Sequence, residues 1–131
     1  MIMEKTNITT SLENYLEAIL FLKEKNGNVR LTDVATKMNI SKPSVNKAIT
    51  TLKSMGFVNQ ERYGLLNLSE KGERYARNIA NRHYVLFDFL HNYLGVDIET
   101  AEKEACLIEH ALSADTAQKL SEFLNNLKVN D

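Results

Sequence analysis

Hydrophobic positions along the chain recur mainly at intervals of three and four, the repeat that lines up side chains on one face of an α-helix. Leu12, Tyr15, Leu16, Ile19 and Leu22 follow this spacing, so a first helix is predicted over residues 11–25, ended by Asn26-Gly27-Asn28. Thr10 and Glu13 stand at capping-box spacing at its start, where hydroxyl and carboxylate each satisfy an amide left over by the helix. A short helix is predicted over 31–38 with Val34, Ala35 and Met38 inward, followed by Asn39-Ile40-Ser41 as a tight turn. Ser41 then caps another helix with Pro43 in its first turn, where a missing amide proton costs nothing. Val45, Ala48, Ile49 and Leu52 repeat on its inner face, and Gly56 closes it.

The period changes after Gly56. Two extended runs, 57–60 and 65–68, flank Glu61-Arg62-Tyr63-Gly64, which reads as a hairpin turn. A long helix over 69–93 follows, with Tyr75, Ile79, Leu86, Phe87 and Leu90 as its apolar stripe and Gly95 as its break. Two more helices are predicted over 98–112 and 114–127, the last burying Leu120, Phe123, Leu124 and Leu127. There is no internal repeat and no low-complexity tail.

Composition narrows this picture. The 131 residues, 44% hydrophobic and 25% charged, suit one or two small globular domains. One Pro and five Gly leave few strand punctuation marks, which disfavours a large catalytic α/β fold. A single Cys, Cys106, excludes an intrachain disulfide, and Met1-Ile2-Met3-Glu4-Lys5 lacks the basic-then-apolar order of a secretory signal, so a cytoplasmic location is expected. No apolar run approaches the ~20 residues that span a bilayer, so no membrane is expected among its partners.

The net charge is −1, but the charges are segregated. Between Asn26 and Arg62 six basic residues (Arg30, Lys37, Lys42, Lys47, Lys53, Arg62) face two acidic ones, Asp33 and Glu61. From Asp97 to Asp131 eight acidic residues face Lys103, Lys119 and Lys128. One half suits polyanions and the other suits cations.

In the basic half, helix, short helix, tight turn, helix and β-ribbon follow one another in the order of a winged helix-turn-helix. Ser41, Ser44 and Asn46 are short polar side chains able to reach base edges near a helix N-terminus, and Lys42 and Lys47 can neutralise phosphates. Arg62 and Tyr63 at the ribbon tip can grip the neighbouring backbone or minor groove. The competing reading is a plain helical bundle whose Lys and Ser residues form a solvated face. The coincidence of charge, turn and ribbon favours DNA.

In the acidic half, Cys106, Glu109 and His110 stand at i, i+3 and i+4, so thiolate, carboxylate and imidazole are expected on one face of one helix, joined by Glu102 a turn earlier. Mixed N, O and S donors suit iron, manganese, cobalt, nickel or zinc rather than calcium or magnesium. His83 is placed on the apolar side of the preceding helix, where a neutral imidazole needs a partner; Glu17 and Asn14 on the first helix can add oxygen ligands. Read singly, Cys106 suits a small buried hydrophobe, His83 a satisfied core histidine, and Glu109 with His110 a surface pair. Their convergence keeps a metal site open.

At these residues the chain resembles the diphtheria-toxin-repressor family of metal-dependent transcriptional repressors, which includes the manganese transport regulators. Ser11-Leu12-Glu13-Asn14-Tyr15-Leu16-Glu17 resembles the family's opening helix, Ser41-Lys42-Pro43-Ser44-Val45 its recognition helix and Leu68-Ser69-Glu70-Lys71-Gly72 the start of its post-wing helix. Glu104-Ala105-Cys106-Leu107-Ile108-Glu109-His110-Ala111-Leu112-Ser113 resembles its metal-binding helix. The resemblance covers nearly the whole chain. It implies a mainly α protein, with a winged helix-turn-helix DNA-binding domain over 1–72 followed by an all-helical dimerisation and metal-binding domain over 73–131. It also implies a homodimer that binds Fe(II) or Mn(II), with Co(II), Ni(II) or Zn(II) able to substitute in vitro. The loaded form would bind palindromic double-stranded DNA operators and repress genes of metal homeostasis. His83, Cys106, Glu109 and His110 match family ligands, and Glu17 matches one of the manganese-responsive branch.

The departures are specific. Asn14 replaces a Met ligand of the iron branch and an Asp ligand of the manganese branch. Cys106 matches the iron branch, whereas Phe87 and Glu102 stand where that branch's ancillary site has Glu and His. The SH3-like third domain of longer members is expected to be absent. Two other readings compete: a winged-helix regulator sensing a non-metal ligand, and a small metalloenzyme. The second leaves the basic half unexplained and shows no Gly-rich phosphate loop or Ser-His-Asp order.

Overall fold

The computed structural model describes residues 8–129; Met1–Lys5, on which the expectation about a secretory signal rests, and the terminal Asp131 lie outside them. Six helices and one hairpin run in the order α1 (Thr10–Asn26), α2 (Leu31–Met38), α3 (Lys42–Ser54), β1 (Val58–Gln60), β2 (Leu66–Leu68), α4 (Glu70–Asp88), α5 (Ile98–Ile108) and α6 (Ala114–Val129). The chain divides into two compact units after Arg77.

In the N-terminal unit, α1 buries Tyr15, Leu16, Ala18, Ile19, Leu20 and Leu22, more of its circumference than one stripe. Its cap is Thr9, one residue before the expected Thr10: the Thr9 hydroxyl accepts a bond from the Leu12 amide at 3.1 Å. Glu13, the expected capping-box partner, is buried and accepts a 2.8 Å bond from the Tyr75 hydroxyl. At the start of α2 the Arg30 amide donates to the Asp33 carboxylate at 2.8 Å, a cap without a hydroxyl. Asn39 ends α2 in the left-handed conformation at φ 55°, which Asn adopts more readily than other residues with a side chain. Val45, Ala48, Ile49 and Leu52 bury one face of α3, as their spacing predicts.

The strands are shorter than the extended runs suggest. Val58 pairs with Leu68, Asn59 with Asn67 and Gln60 with Leu66, antiparallel. Leu65 instead bridges to Arg30, tying the hairpin to the turn before α2. The wing tip is a single 3-10 turn, Arg62–Gly64, in which Tyr63 takes φ 68°. Ser69 starts α4: its hydroxyl donates to Gly56 O at 2.6 Å and accepts from the Gly72 amide at 3.0 Å. Gly72 is required there, since a Cβ would lie 2.9 Å from the carbonyl carbon of Phe57 and closer still to its oxygen.

The C-terminal unit is packed with small residues. Ala101, Ala105 and Ala117 are buried with Ile79, Val85, Leu86 and Leu124. After α4 the backbone widens into a π segment, Phe89–Tyr93, closed by the Leu94 amide donating to Phe89 O at 3.0 Å. α5 stops at Ile108, short of the expected 112, where the Ala111 amide bonds Ile108 O three residues back, a tighter turn than the α-helical repeat of four. Of the four residues expected to be buried on α6, only Leu124 is; Phe123 is 56% exposed and Leu127 39%. Tyr84, Leu94, Ile98 and Leu107 are also exposed, so this unit leaves large apolar side chains in water. Among the described residues no helix is long and apolar enough to cross a membrane.

Candidate metal centre and DNA-contacting helix

Helix spacing builds the candidate metal centre. Glu102 and Cys106, four residues apart on α5, project towards His83 on α4. His83 Nε2 lies 3.0 Å from Glu102 Oε1, its Nδ1 lies 3.1 Å from Glu109 Oε1, and Cys106 Sγ lies 3.7 Å from Nδ1. One ligand atom each from His83, Glu102 and Cys106 falls within 4.8 Å of the other two. A cavity of about 540 Å³ lined by Phe87, Ile98, Glu99, Glu102, Lys103 and Cys106 opens beside them, so the donors are reachable from solvent.

Electrostatics match this geometry. The hydrogen bond to Glu109 foremost, and that to Glu102 after it, raise the His83 pKa to about 9 against the opposing effect of burial. The imidazole is therefore a cation at neutral pH, donating from both ring nitrogens to carboxylates. Glu109 is 1% exposed, and its Oε2 is buried without a hydrogen-bond partner among the described residues. A buried carboxylate oxygen with no donor costs free energy unless a cation completes it. The nitrogen, oxygen and sulfur donors gathered here suit a divalent transition metal.

The expectation of one helix carrying all the α5 ligands needs correction. Glu109 is the residue that ends the helix, and His110, half-buried, lies in the turn beyond it. Spacing alone hid this, because the i, i+3, i+4 pattern continues past Ile108 where the backbone does not. His83 has the partners that a core imidazole needs, both of them acidic. Glu17 is half-buried and Asn14 exposed on α1, in the N-terminal unit.

On α3, Ser41, Lys42, Pro43, Ser44, Asn46 and Lys47 are all exposed, opposite the buried face. Ser41 is also the cap: its hydroxyl accepts from the Ser44 amide at 3.4 Å and lies 2.9 Å from Ser44 Oγ. Asn46 and Lys47 are the exposed polar side chains of the next turn. At the wing tip Arg62 is exposed, and the Tyr63 ring is 84% exposed. Sequence reasoning counted Arg30 only as a charge and missed its Nη1 bond to the Tyr63 carbonyl at 2.6 Å, and it missed Arg82, which is buried on α4. Neither carries a local signal, since both bond to backbone far along the chain.

The sequence pattern of the iron-dependent repressor N-terminal DNA-binding domain matches residues 7–66, and that of the iron-dependent repressor metal binding and dimerisation domain matches 69–131. An HTH-type transcriptional regulator of Methanocaldococcus jannaschii is 38% identical over 122 residues, covering 92% of this chain and 98% of its own. The HTH-type transcriptional regulator MntR of Bacillus subtilis is 30% identical over 123 residues, 94% of this chain and 86% of that protein. The solved structure of the manganese regulator SloR superposes with a TM-score of 0.77 at 28% identity, covering 90% of this chain. This chain spans 55% of that structure's length. The chain belongs to the iron-dependent repressor family, whose members are metal-dependent, DNA-binding transcriptional regulators and not enzymes.

Proposed function

We propose that the protein is a cytoplasmic, homodimeric repressor of metal-homeostasis genes that binds palindromic operators when loaded with Mn(II) or Fe(II). The observation that carries this reading is the buried Glu109 oxygen without a donor beside the His83, Glu102 and Cys106 cluster. His83, Glu102, Cys106, Glu109 and His110 would hold the ion. Glu17, and Asn14 as a neutral donor, are added on the strength of the resemblance. A bound divalent ion supplies positive charge that lets these carboxylates and the thiolate stay together without mutual repulsion.

This chain's residues then divide the work. Glu102 and Glu109 hold a proton on His83 until the ion replaces it. Ser44 and Asn46 read base edges, Ser41, Lys42 and Lys47 meet the backbone, Pro43 fixes the entry of α3, and Arg62 with Tyr63 grip beside the wing. The domains are taken as 1–72 and 73–131. Mn(II) is supported by the likeness to the manganese regulator, whereas Cys106 leans towards Fe(II) or Zn(II).

The deciding experiment is fluorescence anisotropy of an inverted-repeat duplex with metal-free protein, adding Mn(II), Fe(II), Co(II) and Zn(II) in turn. Affinity should rise with metal and lose that rise in His110→Ala. Metal-independent affinity would favour a winged-helix regulator sensing another ligand.

A further inference from the structure

We propose that Arg82 is the positioning residue of the metal centre: from α4 it holds the turn that carries Glu109 and His110. Arg82 is 8% exposed. Its Nη1 donates to Glu109 O at 3.1 Å and to Leu112 O at 2.7 Å. Arginine is seldom buried unless its donors are met, because desolvating the charge is costly. Here it meets acceptors that the end of a helix leaves over.

The backbone shows why those acceptors need it. The Ala111 amide bonds Ile108 O at 2.9 Å, three residues back, which tightens the chain just past the end of α5, and the Leu112 amide shares the same oxygen at 3.1 Å. The next carbonyls have no later helical amide to accept. Arg82 bonds the first and last carbonyls of the four-residue stretch Glu109-His110-Ala111-Leu112 through one nitrogen, and His110 stands between them. With both ends fixed, the backbone from which the Glu109 carboxylate and the His110 imidazole branch loses its freedom to turn.

The sign of the charge separates this role from an electrostatic one. A guanidinium near a divalent cation repels it, so removing Arg82 for its charge alone would tighten metal binding. If Arg82 acts by placing the ligands, removing it weakens binding. The inference rests on the proposed reading of Glu109 and His110 as ligands.

The test titrates Co(II) into the metal-free full chain and follows the cobalt ligand-field absorption, with thermal melting of the metal-free protein alongside. Wild type should bind, and His110→Ala should bind weakly; if wild type and His110→Ala behave alike, the ligand reading fails. Given that difference, Arg82→Met should weaken Co(II) binding by about tenfold or more, with the visible band altered as water replaces a protein donor. Arg82→Lys, which keeps the charge but lacks the planar fork, should fall between Arg82→Met and wild type. If Arg82→Met does not fold, Arg82→Lys decides by the same readout. Unchanged or tighter binding with a wild-type spectrum in the folded variant would overturn the proposal.

Discussion

His83 and Glu109 face each other across 3.1 Å, Nδ1 to Oε1, and the buried carboxylate keeps the imidazole protonated up to about pH 9. The folded pKa is raised above the unfolded value of about 6.5, so this pair's contribution to stability is complete below the unfolded value. It is lost as pH rises through about 9. Thermal melts of metal-free protein should show an alkaline loss that His83→Gln flattens. An ion using His83 must displace that proton, so metal affinity should climb with pH, and calorimetry in buffers of different ionisation enthalpy should register proton release. No release at neutral pH would remove His83 from the ligand set.

Lys47 and Asn46 are exposed neighbours on α3 with different expected roles. Lys47→Ala should weaken binding to all duplexes alike and reduce the salt slope by about one, because a phosphate contact releases a counterion without reading sequence. Asn46→Ala should keep the slope and lose ~1–3 kcal/mol of discrimination at one base position. Equal losses of specificity in anisotropy measurements would mean that α3 presents another face.

Leu107 is 67% exposed and Ile108 39%, at the end of α5. Apolar surface of this kind is expected between the two copies of a symmetric dimer. Sedimentation of the wild type at micromolar concentration should give a dimer. Ile108→Asp should shift it towards monomer and lower operator affinity, with each chain still folded by circular dichroism.

Gly72→Ala inverts a common rule. An alanine inside a helix usually stabilises by about 0.5–1 kcal/mol, but here its methyl meets the Phe57 carbonyl, which is already held by the Ser69 amide at 3.0 Å. The expected loss is ~1–3 kcal/mol, as for other overpacked sites. Urea unfolding of the two proteins would show it, and an unchanged midpoint would mean that the hairpin can move aside.

Much of this was legible in the chain because the forces involved are local. The α3 stripe of Val45, Ala48, Ile49 and Leu52, the Ser41 cap and the Gly56 stop lie within a few turns of one another, and the structure keeps them all. The candidate ligands were chosen by donor type, but their division between helix and turn was not legible, since side-chain spacing says nothing about where the Ala111 amide tightens onto Ile108 O. Phe123 and Leu127 have the pattern of core residues, yet α6 alone leaves them in water. Arg82 was invisible for the opposite reason: a charged residue on an inward face reads as an interruption until the carbonyls it serves, 27 and 30 residues away, are in view.

Tyr63 shows a different economy at the wing. Its backbone takes φ 68°, a conformation that glycine adopts freely and tyrosine adopts at a cost on the order of 1 kcal/mol. Gly64 follows at φ 79°, so the hairpin already turns on one glycine and forgoes a second where it would be the more comfortable choice. The ring gains no burial in return. A stability-driven redesign of this domain would replace Tyr63 with Gly or Asn among its first changes, and would melt later without an aromatic ring beside Arg62 at the tip. With the DNA-gripping role proposed for Tyr63, thermal robustness and reach towards that ligand would oppose each other at this one residue.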